Sequence, residues 1–389
     1  MKLARRVEQL PPYLFAAISR LIEEKRAAGV DVISFGIGDP DLPTPQHILD
    51  SLVAASAEPA NHRYPESDGL PELRQAIARW YERRHGVALD PDAEVLPLIG
   101  SKEGIGHLPL CLIDEGDVSL ITDPGYPVYE VATMFAGGES VMMPLHEEDG
   151  WLPRLDDVSD DVAARTRILW LNYPNNPTGA VADLAFFERA VQWARDRDVV
   201  IAHDLAYADV TYDGYVAPSI LEVDGARDVA IEFNSLSKTF NMTGWRVAMA
   251  VGNSEVIDAL TRVKSNLDSG IPQAIQQMAI TALDGPMDAV DERNRVYAAR
   301  RDRVVEVLRE LGLRVDPPKA TLYVWAALPE GERSSADFAA RLIDATGVVV
   351  TPGVSYGDAG EGYVRLSLTI ADDRLEEGLA RLREFARGD

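Results

Sequence analysis

The sequence predicts an α/β protein whose mostly parallel sheet is covered by helices on both faces. Two observations carry that prediction. From about residue 93, short β-branched or apolar runs alternate with helical stretches, as expected of strands buried on both faces and joined by helical crossovers. After residue 252 the pattern changes to long helices and then to a short mixed segment, so a smaller α+β unit follows the sheet. At 389 residues the chain has room for about two domains.

The first 40 or so residues read as an arm and a helix leading to the strand-like "VISFGIG" (32–38). Candidate strands of the sheet are "VLPLIG" (95–100), "DVSLIT" (117–122), "RILWLN" (167–172), "DVVIAHD" (198–204), "DVAIEF" (228–233) and "RVAMAVG" (246–252). Helical stretches separate several of them, including "ADLAFFERAVQWARDR" (182–197). Long helices follow at 254–265, 271–283 and 288–311. The remainder reads as strand "TLYVWAAL" (321–328), helix 335–346, strand "YVRLSLTI" (363–370) and a last helix. The expected division is a large domain over 45–285, with 1–44 as arm and part of a small domain that 286–389 completes.

Composition excludes several functions. The chain is 46% hydrophobic and 26% charged, and no apolar run reaches the ~20 residues of a membrane helix. Its opening "MKLARRVEQLPPYLF" lacks the apolar core of a signal peptide. A single cysteine, Cys111, permits no internal disulfide and fits a reducing cytoplasm. A net charge of −25 disfavours nucleic acid and anionic membrane as partners, since both need basic surface. The six histidines are scattered without HExxH, CxxC or acidic-loop spacing, so no metal site is expected.

Ligands of such sheets bind at the carboxyl ends of the strands, so the polar residues ending them are read as a set. Gly100-Ser101-Lys102 ends a strand and opens a helix, bringing free amides, a hydroxyl and an amine together as for an anion; taken alone, these residues read better as a plain helix cap. Neither a Walker loop nor a GxGxxG turn is present, which argues against a nicotinamide domain. Tyr126, in "DPGYPVYE", presents a flat ring or fills a turn. "YPNNPTG" (173–179) is an Asn/Pro/Gly turn of unusual specificity. Asp204 follows "VVIA" at a sheet edge, where it could hold a protonated ring nitrogen or cap a helix. In "SLSKTFNMTGWRVAMAVG" (235–252), Lys238 sits among uncharged hydroxylic residues and is followed eight positions later by Arg246. That setting suits a pocket better than a surface.

Taken in order, "RYPESDGLPELRQAIA", "GSKEGI", "DPGYPVY", "YPNNPTG", "HDLAYADVTYDG", "SLSKTFNMTGWRVAMAVG" and "GYVRLSLTI" resemble the motifs of fold type I pyridoxal 5′-phosphate enzymes, specifically the class I/II aminotransferases. They cover most of the chain from Gly36 to Ile370. Within that family, "GIGDPDLPTP", "SKEGI", "HDLAY", "NMTGWR" and "KSNLDSG" are most similar to the LL-diaminopimelate aminotransferases. The resemblance implies a mostly parallel seven-stranded sheet, with a small α+β domain formed from both chain ends. It implies that Lys238 holds the cofactor's aldehyde and shuttles a proton, and that Asp204 keeps the pyridine nitrogen protonated. Tyr207 and Asn176 would bond the ring's phenolic oxygen while Tyr126 stacks on the ring. Ser101, Lys102, Ser235, Ser237 and Arg246 would hold the phosphate, with Tyr64 reaching it from a neighbouring subunit of a homodimer. Arg365 would bind the substrate α-carboxylate bidentately, beside Gly38 and Asn176. Tyr13 and Phe15 resemble a mobile arm over the pocket or an apolar packing pair, and "KSNLDSG" (264–270) is expected near the dimer interface.

The expected reaction is transfer of an amino group between an L-amino acid and a 2-oxo acid, with LL-diaminopimelate and 2-oxoglutarate as the leading pair. A carbon–sulfur β-lyase or other α,β-elimination enzyme on the same scaffold is the alternative, since both reactions diverge from one carbanion. A ligand-sensing domain of aminotransferase-like transcription regulators is disfavoured, because only some 30 residues precede the fold and the chain is acidic.

Overall fold

A computed structural model describes residues 2–10 and 14–387. Seven strands form the main sheet: β2 (Val95–Leu98), β3 (Val118–Asp123), β4 (Glu139–Pro144), β5 (Thr166–Asn172), β6 (Val200–Asp204), β7 (Ala230–Ser235) and β8 (Ala248–Gly252). Their order is β2-β8-β7-β6-β5-β3-β4, and every pair is parallel except those made by β8, which runs antiparallel to both β2 and β7.

Side-chain alternation divides the sheet between two cores. In β5, Leu169 and Leu171 enter a core with Trp80, Phe187 and Met278, whereas Ile168 and Trp170 enter one with Ile105, Leu108 and Leu260. Helices α4 (Pro71–His85), α8 (Leu184–Arg195) and α11 (Gln273–Asp284) therefore cover one face. Helices α5 (Ser101–Leu112), α6 (Val128–Ala136) and α10 (Ser254–Leu267) cover the other. Helix α3 (Gln46–Ser56) packs on α11, and the short α7 (Asp160–Arg165) leads into β5.

A third core belongs to both chain ends. Strand β1 (Ile33–Ser34) pairs in parallel with β10 (Val348–Val349), while β11 (Thr351–Pro352), β12 (Tyr363–Ser367) and β9 (Tyr323–Ala327) form a three-stranded antiparallel sheet. Phe35 and Ile33 pack there with residues of α12 (Asp288–Glu310), α13 (Ser335–Thr346) and α14 (Asp372–Arg387). Helices α1 (Arg5–Glu8) and α2 (Leu14–Ala27) precede β1, and Ile18 and Ile22 of α2 bury against Val349 and Ile343.

Three expectations need correction. The strand-like 32–38 is a strand only over Ile33–Ser34, because its β10 partner is equally short and Gly36 and Gly38 take the chain away as a loop. Strand β4 has no counterpart among the six candidates; it is an edge strand with Met142 exposed, and edge strands need no continuous apolar run. The expected 228–233 and 246–252 begin two residues late, at Ala230 and Ala248, since 226–228 is a short 3₁₀ turn and Arg246, which ends another at 243–245, has a left-handed φ of 52°.

Candidate active site

Parity along β6 decides what reaches its carboxyl end. Ile201 joins the core under α4 and α8, Ala202 the opposite one, and Asp204, two residues on, faces the same way as Ala202. There the Tyr129 hydroxyl of α6 donates to Asp204 Oδ2 at 2.8 Å. The other oxygen, Oδ1, is buried and has no hydrogen-bond partner among the described residues. Burial pushes the Asp204 carboxyl above the usual carboxylate range, against the Tyr129 bond, which pulls it down. No helix follows Asp204, so the capping alternative does not apply. A buried carboxylate oxygen lacking a donor at a sheet edge matches a cationic ring N–H. Tyr129 is itself fixed, stacked on Trp170 at 4.6 Å and meeting Tyr126 edge-on at 5.7 Å.

Lys238 lies in the four-residue helix α9 (Leu236–Thr239), started by the Ser235 hydroxyl, which accepts the Ser237 amide at 3.2 Å. Its Nζ donates to the Gly38 carbonyl at 3.0 Å. Burial pushes the ammonium below the ordinary lysine range; Arg246 and Arg365 act in the same direction, Tyr323 and Asp39 against it. Gly38 admits no side chain, since a Cβ would come within 2.2 Å of the Tyr323 hydroxyl. That hydroxyl lies 3.0 Å from the Tyr207 hydroxyl.

Arg365, fully buried in β12, donates to Asn176 Oδ1 and to the Gly36 carbonyl, each at 2.8 Å. Its guanidinium lies 3.9 Å from the centre of the Tyr323 ring and 4.8 Å from that of Tyr356. Because the Asn176 oxygen is engaged by Arg365, its amide group turns its donors elsewhere. The strand-edge alternative for Arg365 fails: β12 is the central strand of its sheet and the side chain is fully buried.

The anion site begins at Gly100, whose φ of 76° is left-handed and which precedes α5 without a side-chain cap. A Cβ there would come within 2.0 Å of Arg246 Nη2, so the glycine is what lets the guanidinium lie over the first turn that carries Ser101 and Lys102. Arg246, with a left-handed φ of 52°, is steadied by a 2.9 Å bond to the Thr243 carbonyl. Ser235 and Ser237 are buried nearby in sequence at the start of α9. The orphan Asp204 oxygen and the glycine-lined arginine cradle fit a phosphorylated pyridinium.

The expected residues thus group as Lys238, Gly38, Tyr207, Asn176 and Arg365 in one contact network, Asp204 with Tyr126 beside Tyr129, and Ser101, Lys102 and Arg246 at α5. Tyr64 joins none of these; it is 91% exposed. Tyr13 and the Phe15 side chain lie outside the described residues. Lys264 of "KSNLDSG" is fully buried, bound to Glu103 at 2.6 Å and Asp268 at 2.8 Å. Glu103, His107 and Asp268 have ligand atoms within 4.8 Å of one another, but the Lys264 ammonium sits among them where a metal cation would.

Sequence reading missed Tyr129, Tyr323 and Tyr356. Tyr129 was within reach, three residues after Tyr126 on a helical start and hence on the same side. Tyr323 and Tyr356 look like strand and turn aromatics until the β9–β12 register sets Tyr323 opposite Ser367, two residues from Arg365.

A family model described as aminotransferase class I and II matches residues 30–382. The chain is 59% identical over 385 residues to an LL-diaminopimelate aminotransferase of Dehalococcoides mccartyi, covering 99% of each. It is 55% identical over 383 residues to one of Moorella thermoacetica, covering 98% of each. Among solved structures it is similar to substrate-bound BacF of Bacillus subtilis, with a TM-score of 0.95, 36% identity and 99% and 98% coverage of the two chains.

Proposed function

The chain belongs to the class I and II aminotransferases, and on that premise we propose which residue does what and which substrates it takes. It is a pyridoxal 5′-phosphate-dependent aminotransferase with the fold type I architecture. When bound, the cofactor supplies an electron sink for the bond broken at the substrate Cα.

In our reading Lys238 Nζ would hold the cofactor's aldehyde and, when free, would carry a proton to and from the substrate Cα. Its lowered pKa keeps a larger share of the amine neutral for both tasks. Asp204 Oδ1 accepts from the ring nitrogen and keeps it protonated; the donorless buried oxygen is the observation that supports this most directly. Tyr207, braced by Tyr323, and the Asn176 amide hold the phenolic oxygen, and Tyr126 covers the ring. Ser101, Lys102, Ser235, Ser237 and Arg246 hold the phosphate. Tyr64, too exposed to serve its own protomer's core, reaches the phosphate of a second copy in a homodimer. Arg365 grips the α-carboxylate beside Gly38 and Asn176. Its strand belongs to the smaller sheet and Lys238 to the loop after β7, so substrate draws the two parts of the chain together over the reacting atoms and shuts out water.

For substrates we infer LL-diaminopimelate and 2-oxoglutarate, in a lysine-forming pathway of the cytoplasm. Support comes from the relatives, which carry that activity in their names at 50–59% identity over 97–100% of both chains. Both substrates carry a distal carboxylate, so one pocket serves them in turn; a neutral donor loses one charge-assisted bond, about 1.5–3 kcal/mol. The test is ping-pong kinetics of glutamate and diaminopimelate against alanine, phenylalanine and lysine. A neutral or aromatic donor preferred by more than about tenfold, or 1.4 kcal/mol, ends the substrate assignment and leaves transamination standing. Pyruvate and ammonia released without an acceptor would favour elimination instead.

A further inference from the structure

Helix α9 ends after one turn, and its last carbonyls need donors. The Met242 amide, which would continue the helix onto Lys238, donates instead to the Ser237 carbonyl at 3.1 Å. A side chain from α12 supplies what is missing. Arg293 Nη1 donates to the carbonyls of both Lys238 and Thr239, and Nη2 donates to the Asp209 carbonyl at 2.6 Å. Arg293 is 3% exposed, and its guanidinium makes no ion pair among the described residues. The nearby Asp209 carboxylate is taken by Arg84 at 2.5 Å and by the Thr239 hydroxyl at 3.1 Å.

The same face of α12 holds the other side of the lysine. Tyr297 and Arg300 stand four and seven residues after Arg293, one above the other on the helix. Both donate to Asp41 Oδ1, Tyr297 at 3.3 Å and Arg300 at 2.8 Å. Asp41 lies three residues from Gly38, whose carbonyl accepts Lys238 Nζ. One buried stripe therefore grips the backbone of Lys238 at one end and the loop that receives its amine at the other.

We propose that Arg293 is a positioning residue: it fixes the Lys238 backbone against the Gly38 loop, with α12 as the rigid spacer. The inference rests on Lys238 being the cofactor lysine. A buried cation spent on three backbone carbonyls, two of them at that one-turn helix, and on the neighbouring Asn294 Oδ1 is hard to account for by stability alone, because apolar side chains fill buried space at lower cost. Misplacing a reacting group by about 1 Å costs on the order of 100-fold in rate.

The experiment uses the cofactor-loaded enzyme and compares Arg293→Gln with Arg301→Gln. Arg301 is a matched control on the same helix, 4% exposed and bonded to Asp213 and the Pro318 carbonyl, away from Lys238. Expected for Arg293→Gln is a fall in kcat of about ten- to a hundredfold with little change in KM, and a displaced pH midpoint of the visible absorbance of the lysine-bound cofactor. Arg301→Gln should lower the melting temperature comparably but leave kcat and the midpoint in place. If Arg293→Gln does not fold, Arg293→Lys, which keeps the charge but cannot span three carbonyls, is measured in the same way. An unshifted midpoint with near-normal kcat in the Arg293 variant, or equal shifts in both variants, overturns the proposal. Borohydride reduction and peptide mapping separate the two readings: label on another lysine removes the Lys238 assignment and this inference together, whereas label on Lys238 with an unmoved midpoint removes only the inference.

Discussion

Glu232 and Asp204 sit on neighbouring strands, one in the middle of β7 and one at the end of β6, and both carboxyls are buried. Glu232 is surrounded by donors: the Tyr81 and Ser219 hydroxyls at 2.9 and 2.8 Å, the Ile220 amide at 3.0 Å and His203 Nδ1 at 2.8 Å. Asp204 has the Tyr129 hydroxyl on Oδ2 and the Ala206 amide nearby, while Oδ1 accepts no well-formed hydrogen bond among the described residues. The consequence is opposite titration. Burial would raise Glu232, yet His203, His85 and the Ser219 hydroxyl hold it below the usual range, whereas burial prevails at Asp204 and raises it. Two interior carboxylates one strand apart thus differ in whether the chain itself supplies the counter-charge. Glu232 is finished by its own fold; Asp204 is finished by what binds.

That contrast is broken most easily at Asp204. Asp204→Asn is expected to slow Cα deprotonation by a factor of hundreds, about 3–4 kcal/mol, in single-turnover measurements, while the melting temperature of the cofactor-free protein does not fall. An unchanged rate would make Asp204 an ordinary buried acid. Glu232→Gln should behave in reverse, losing about 2–3 kcal/mol of stability in denaturant unfolding, since it strands donors that a carboxylate satisfied, with turnover per folded molecule retained.

The next largest effect belongs to Tyr129→Phe, which takes away the side-chain donor that Asp204 has. We expect a rate lower by about fivefold, near 1 kcal/mol, and cofactor-induced stabilisation that sets in at higher pH than in the parent, read from melting curves with and without cofactor.

The smallest effects are pH slopes, and their signs are opposite. Glu232 is lowered by folding, so its contribution is present above the unfolded value of about 4.3 and is lost as pH falls through the folded one. Glu232→Gln should flatten the acid limb of the stability curve. Asp204 is raised in the cofactor-free protein, so its contribution is complete below about 3.9 and is lost as pH rises through the folded value. Cofactor should therefore stabilise the parent increasingly as pH rises through that range, and the increase should be absent in Asp204→Asn. Parallel slopes for the two variants would contradict the distinction.

Much of this was legible in the residues. Asp204 and Arg246 stand out because each puts a charge at the end or start of an apolar run, although for Asp204 a ring partner and a helix cap read alike, and Lys238 stands out because its neighbours are hydroxyls rather than charges. Arg365 was legible only through its motif, since an arginine in a strand says nothing about facing inward until Thr351 and Trp325 are set beside it in register. Glu232 could not be singled out at all. Its four donors come from β6, α4 and the 219–220 turn, and nothing local in "DVAIEF" marks a paired carboxylate. Tyr323 and Arg293 were hidden for the same reason: each acts across a long sequence separation, on Tyr207, Arg365 and Lys238. The edge strand β4 was hidden for a different reason, as one solvent-facing side leaves its apolar signal weak.

The reversed direction of β8 has a consequence for how this protein tolerates change. A parallel strand there would have required the connection to cross the whole sheet before re-entering it, leaving one of its ends at the far edge. Because β8 runs backwards, the chain leaves β7 and re-enters the sheet on the same side, so that Lys238 and Arg246 ride on one loop, α9 included, between Ser235 and Ala248. Lengthening that loop would disturb two contacts at once. The turn between β8 and α10, at Gly252–Asn253 on the opposite edge, carries neither. That turn is tied by bonds of its own, from the Gly252 amide to the Glu94 carbonyl and from Asn253 to the carbonyls of Ala230 and Asp228, so changes there should cost stability and leave the site's residues in place.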